Sequence, residues 1–103
     1  MTRGQRIVVM NAAEEHAALI PPTICGALRA YVVDGRRPGQ FLQAVLRNDL
    51  MDAVTRADAM NLAFLEGIVK YVYNRIPSIC WGSKEKVEAW VRECEAERIA
   101  EEA

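Results

Sequence analysis

Apolar residues recur three and four positions apart along most of this chain, the spacing of one helix face. Asn11 followed by Glu14 has the form of a capping arrangement and predicts a short helix over residues 12–20. Pro21 and Pro22 lack a backbone donor and end it. Pro22 also suits the first position of a second helix, residues 22–33, on which Ile24, Leu28, Tyr31 and Val32 recur at helical spacing. Gly35 supplies the permissive backbone that closes this helix. Pro38 opens a third over residues 38–47, with Phe41, Leu42, Val45 and Leu46 on one side. Asn48 and Asp49 interrupt, and residues 50–54 predict a short helical turn. Thr55 with Asp58 repeats the capping pattern and starts the longest helix, residues 56–75. Its Met60, Leu62, Phe64, Leu65, Ile68, Val69, Tyr71 and Val72 cover most of the circumference, which predicts a central core helix surrounded by the others. Pro77 stops it, residues 78–82 form a tight connector, and Ser83 caps a last helix bearing Val87, Trp90, Val91 and Cys94.

The expected architecture is an all-α, compact single-domain bundle of about four to five helices, with residues 12–95 as the helical domain. Residues 96–103 read as an acidic helical tail that frays. Residues 1–11 read as an N-terminal arm, in which Ile7-Val8-Val9-Met10 is a brief strand, an ordered arm or a flexible tail. A length of 103 residues allows one such domain and one core.

A net charge of −1 argues against a general nucleic-acid binder, which carries a marked basic excess. The charge is uneven: residues 1–83 hold nine Lys/Arg against seven Asp/Glu, and residues 84–103 hold four against seven. That permits a weakly basic face opposite an acidic tail. Three widely spaced cysteines, Cys25, Cys80 and Cys94, do not make a secreted disulfide framework and read as reduced thiols in a cytosolic protein. No apolar run approaches membrane-spanning length, and the run at Ile7 is too short for a signal-peptide core, so no membrane partner is expected.

The first candidate site is the turn Arg36-Arg37-Pro38-Gly39. Two guanidiniums and the N–H groups of Gly39, Gln40 and Phe41 at a helix start could capture a phosphate or carboxylate, with Arg29 and Arg47 adding to it from neighbouring helices. The plainer reading is a solvated loop. The second candidate is aromatic: Tyr71 and Tyr73 with Asn74 and Arg75, followed by Cys80-Trp81-Gly82. Trp81 is suited to stack on a flat ligand or fill a partner's groove, or else to plug one end of the bundle. Asp49, Asp52 and Asp58 lack the pattern of a cation loop and suit helix caps. His16, the only histidine, has no partner placed for metal binding or catalysis. No metal or cofactor is expected, and no enzyme, since paired acid–base groups and an activated nucleophile are both missing.

Two blocks carry a resemblance. One runs Tyr31…Gly35…Pro38-Gly39-x-Phe41-Leu42-x-Ala44-Val45-Leu46-x-Asn48-Asp49-Leu50, then Ala53, Arg56-Ala57-Asp58 and Asn61; the other runs Tyr71-x-Tyr73-Asn74-x-x-Pro77-x-x-Cys80-Trp81-Gly82-Ser83 with Val87 and Trp90. Together, over about residues 20–92, the chain resembles a family of small bacteriophage and prophage accessory proteins. The resemblance supplies a context and no mechanism. It implies work in the bacterial host cytoplasm, and such accessory proteins are often inhibitors of host defence.

Two functions follow as expectations. The first is a non-enzymatic inhibitor that binds or sequesters a host defence protein or its anionic cyclic-nucleotide signal. Arg36, Arg37 and Arg47 would surround an anionic group, and Trp81, Tyr71 or Tyr73 would supply an apolar platform. Capture of a small ligand would occur between subunits, so a homo-oligomer is expected. The alternative is a DNA-binding regulator, because helix, Asp-Gly-Arg-Arg turn and helix mimic a helix-turn-helix unit. Against that, the third helix offers only Gln40, Gln43 and Arg47 to read bases.

Overall fold

The computed structural model describes residues 1–102. They form seven α-helices and one 3-10 turn, with no strand among the described residues. The helices are α1 (Arg3–Glu14), α2 (Pro22–Asp34), α3 (Gln40–Leu46), α4 (Leu50–Arg56), α5 (Ala59–Ala63), α6 (Leu65–Arg75) and α7 (Lys84–Glu102), with the 3-10 turn at Ser78–Cys80. The all-helical class stands. The helix count is higher than expected, and the elements depart from the expectation at three places.

The first is the N-terminus, where a helix replaces the expected arm over residues 1–11 and the helix expected over 12–20. Thr2 Oγ1 accepts from the N–H of Gln5 at 3.1 Å, and Gln5 Oε1 accepts from the N–H of Thr2 at 2.8 Å. This reciprocal capping box starts α1 nine residues before Asn11. The buried stripe is Arg6, Met10 and Ala13. Its first member is an arginine, so a pattern of apolar residues alone does not reveal the face.

The second is the long helix expected over residues 56–75. Ala57 turns extended (φ −68°, ψ 132°), Asp58 caps α5 by accepting from the N–H of Asn61 at 2.7 Å, and Phe64 (φ −103°, ψ 11°) breaks the chain again before α6. Thr55 does not act as the cap; its hydroxyl donates to Asp52 O inside α4. The segment is also not a central core helix. Ile68, Tyr71 and Val72 are buried, whereas Met60, Leu62, Phe64 and Val69 are exposed.

The third is the C-terminal tail: α7 continues unbroken to Glu102 and is used. Arg6, whose side chain is 3% exposed, donates from Nη1 and Nη2 to the Glu97 carboxylate at 2.9 and 2.8 Å. Its Nε donates to Val33 O at 3.0 Å, Nη1 also reaches Met1 O at 2.9 Å, and the guanidinium lies 5.6 Å from the Trp90 ring. One side chain therefore ties α1, α2 and α7 together. Arg98 donates to Asp34 O at the end of α2 at 2.8 Å, and Arg3 pairs with the Asp34 carboxylate.

The core lies where α2, α3, α6 and α7 meet. Tyr31 and Leu28 are fully buried, with Leu46, Ile68, Val87 and Cys80. Tyr31 donates to Cys80 O at 2.6 Å, and its own carbonyl accepts from Trp90 Nε1 at 3.1 Å, so the buried polar atoms of both rings are satisfied. Gly35 ends α2 in the left-handed region at φ 69°. A Cβ there would stand 2.4 Å from Cys94 Cβ, so α7 crosses the end of α2 at a distance only glycine allows. Asp49, accepting from the N–H of Asp52 at 3.1 Å, caps α4, and Asn48 reverses the chain between α3 and α4 at φ 62°.

Candidate binding groove

The guanidiniums expected to gather at the 36–39 turn are distributed over separate partners. Arg37 forms a bidentate pair with Glu88 of α7 at 2.8 and 2.6 Å. Each holds the other ionised: the Glu88 carboxyl is pushed below its usual range by the hydrogen bond from Arg37, and Arg37 is pushed above its own. Arg29 donates to Asn11 Oδ1 and Glu14 Oε1 of α1 at 2.9 and 3.0 Å. Arg47 pairs with Asp52, which also accepts from Arg56 at 2.8 Å; Arg56 reaches Gln40 in turn. Arg36 is exposed and forms no ion pair among the described residues. Pro38 does not open α3. Gly39 is its cap and Gln40 its first residue, and Gln43 is turned back onto Pro38 O at 2.8 Å. The carboxylates Asp49 and Asp58 serve as caps, and Asp52 as the bridge between two arginines.

The α2–turn–α3 unit also presents little for reading bases. The seven-residue α3 buries Phe41, Leu42, Ala44 and Leu46, while Gln43 and Arg47 are engaged internally.

The aromatic candidates divide. Tyr73 and Trp81 meet, with ring centroids 5.9 Å apart at 57°. Trp81 is held half-buried by donating from Nε1 to Ile76 O at 3.1 Å, while the N–H of Gly82 donates to Leu46 O at 2.8 Å and fixes the connector to α3. Tyr71, two residues from Tyr73, points to the other side of α6. There it lines a separate cavity of about 190 Å³ with His16, Gly67 and Arg75.

Trp81 and Tyr73 instead line an apolar groove of about 250 Å³ between the α3–α4 hairpin and α6. Val45 comes from α3, Leu50 and Ala53 from α4, and Leu65, Val69, Val72 and Tyr73 from α6. Leu65, Val69 and Tyr73 are four residues apart and share a helix face, so α6 buries Ile68 and Val72 in the core and offers the adjacent stripe to the groove. Asn48 and Asp49 are the polar members of the lining. Of the groove residues Leu50, Val69 and Tyr73 are exposed, and Met51 and Val54 of α4 and Met60, Leu62 and Phe64 of the α5 segment are exposed as well. Leu50, Leu65 and Val69 are the groove residues that motif reading passes over, because an apolar helical stripe has the same pattern whether it meets the core or solvent.

The thiols add no reactive group. Burial pushes Cys80 up to about 12 and raises Cys94 and Cys25, so all three are protonated at neutral pH. No protein-family model matches the chain, and no curated protein or solved structure matches it either.

Proposed function

We propose that this chain is a non-enzymatic phage accessory protein that inhibits a bacterial anti-phage defence by occupancy, holding an apolar helix of a defence protein in the Trp81 groove. The observation that carries the reading is the apolar lining of that groove, of which Leu50, Val69 and Tyr73 are exposed to solvent. A groove of this form takes alternate side chains of an amphipathic helix, anchored by a ring or branched chain at its deepest point. Trp81 and Tyr73 are the anchor types that dominate such contacts. The phage context rests on the resemblance of residues 20–92, and the host cytoplasm is the place of action that goes with it. Of the two expected targets, a protein is favoured over a cyclic nucleotide. Arg29, Arg37 and Arg47 each already face a carboxylate, and an anionic ligand would have to displace it.

Affinity capture from bacteria carrying active defence systems tests the reading. The wild-type protein is expected to retain one host protein that Val69→Glu loses, while Arg36→Ala/Arg37→Ala retains it. Capture unaffected by Val69→Glu, or a nucleotide carried by the wild type and lost with the arginines, would overturn it. Val69 is already 44% exposed, so the charge disturbs the groove and spares the core.

A further inference from the structure

The cavity that Tyr71 lines takes one wall from a single face of α6, where Gly67, Lys70, Tyr71, Asn74 and Arg75 stand three and four positions apart. The other wall is the α1–α2 connection, which contributes His16, Leu19 and Ile20. A Cβ at Gly67 would stand 2.8 Å from Leu19 O, so the connection rests directly on α6 and fixes the two walls together. Tyr71 stands in the middle of the α6 face. It is 4% exposed, and its hydroxyl is the buried side-chain polar atom that has no hydrogen-bond partner among the described residues. Cys25 of α2 lies near that hydroxyl but outside hydrogen-bonding geometry, and the nearby Glu14 is held by Arg29 at 3.0 Å. Burial pushes the hydroxyl above the usual phenol range, so it keeps its proton and is a donor. A buried hydroxyl left without a partner costs stability, and such a group calls for an acceptor. The charges around it are of one sign. Lys70 and Arg75 belong to the lining and no carboxylate does, whereas the cleft at Arg3 and Arg98 includes Asp34 and Glu97, and that at Arg47 and Arg56 includes Asp52. Arg75 forms no ion pair among the described residues. Lys70 pairs with Glu66 at 2.7 Å, but both ends are largely exposed, and such a pair contributes little and exchanges readily.

We infer that this cavity is a binding site for a phosphate group, with Tyr71 Oη, Arg75 and Lys70 as its donors from α6 and His16 as a donor from the other wall. Two cations suit a doubly charged group, and donors on two walls suit a tetrahedral one better than a planar carboxylate. The same two cations offset the partial negative charge at the C-terminal end of α6. A cavity of about 150 Å³ holds a benzene ring. This one, about 190 Å³, has room for inorganic phosphate or for the phosphate end of a small organic ester. The site goes beyond the proposed function and does not depend on it, because the Trp81 groove uses a different set of α6 residues, Leu65, Val69, Val72 and Tyr73.

Full-length, isotope-labelled protein is titrated with inorganic phosphate and with glycerol phosphate at constant ionic strength, followed by amide NMR, with chloride and acetate as controls. Saturable shifts are expected at Gly67 and over residues 70–75, with Val45 and Leu50 of the groove unmoved. Tyr71→Phe is expected to weaken phosphate binding about tenfold, the loss of one hydrogen bond to a charged group. The same variant is expected to melt no lower than wild type, because it deletes a hydroxyl that has no partner in the fold. Arg75→Gln, a change at an exposed residue, is expected to weaken binding by a similar factor with an unaltered melt. Tighter binding of the ester would identify a small organic phosphate as the ligand, and equal binding would identify phosphate itself. The absence of saturable shifts up to tens of millimolar phosphate, acetate bound as tightly, or an affinity indifferent to both substitutions would overturn the inference. So would a lowered melting temperature in Tyr71→Phe, which would show the hydroxyl already satisfied within the fold. The groove variant Val69→Glu is expected to bind phosphate normally, which keeps this test separate from that of the proposed function.

Discussion

Arg6→Ala is expected to be the most damaging single truncation of a charged side chain. The substitution leaves Val33 O without its buried donor, which costs about 1–3 kcal/mol. It removes a guanidinium over the Trp90 ring, roughly 0.5–1 kcal/mol at this distance, and empties the space its stem fills. Breaking a buried ion pair costs about 3–5 kcal/mol when the remaining charge stays buried. Here the remaining Glu97 is 31% exposed and takes up water, which lowers that figure. The effects overlap, and the net loss is about 3 kcal/mol. In a domain of this size it lowers the melting temperature by roughly 10–20 °C. Urea and thermal unfolding followed by circular dichroism provide the assay, with Arg6→Met as the control that keeps the stem and recovers part of the loss. A melting temperature within about 3 °C of wild type would mean that α1 and the end of α7 are peripheral, and the account of Arg6 as the tie among three helices would fail.

Two further outcomes follow. Gly35→Ala should destabilise by about 2–4 kcal/mol in urea titration, from the left-handed backbone and the Cβ collision with Cys94 together, whereas Gly39→Ala should cost under 1 kcal/mol because its backbone is extended and its surroundings open. Arg6, Arg37 and Lys70 hold Glu97, Glu88 and Glu66 below the ordinary carboxylate range. The folded value is the lower one, so the stability these pairs contribute is fully present above the unfolded value near 4.3 and is lost as pH falls through the folded one. Urea midpoints should therefore hold steady from about pH 8 to 6 and decline below about pH 4, and Arg6→Met should flatten the decline. An unchanged acid limb in that variant would show that Glu97 titrates independently of Arg6.

Local signals in the sequence were enough for the helical class and for several boundaries. Pro22 opens α2, Gly35 closes it, Asn48-Asp49 divides α3 from α4, Pro77 follows the end of α6 and Ser83 precedes α7, because each acts on backbone atoms within a few residues of itself. The Thr2–Gln5 capping box was equally local, but the stripe it introduces begins with a buried arginine, and a polar residue at a core position hides a helix from a hydrophobic pattern. Of the candidate site, Tyr73 and Trp81 were legible as large amphipathic rings near one another in sequence; Tyr71 carried the same signal and faces elsewhere. Tertiary structure alone decided which charges are free. Arg37 meets Glu88 across 51 positions and Arg6 meets Glu97 across 91, and no spacing along the chain encodes such a pairing. It also decided which apolar stripes have partners. The residues of α5 and α6 have the same periodicity whether they meet the core or solvent, and only the placement of the neighbouring helices leaves Met60, Phe64 and Val69 uncovered.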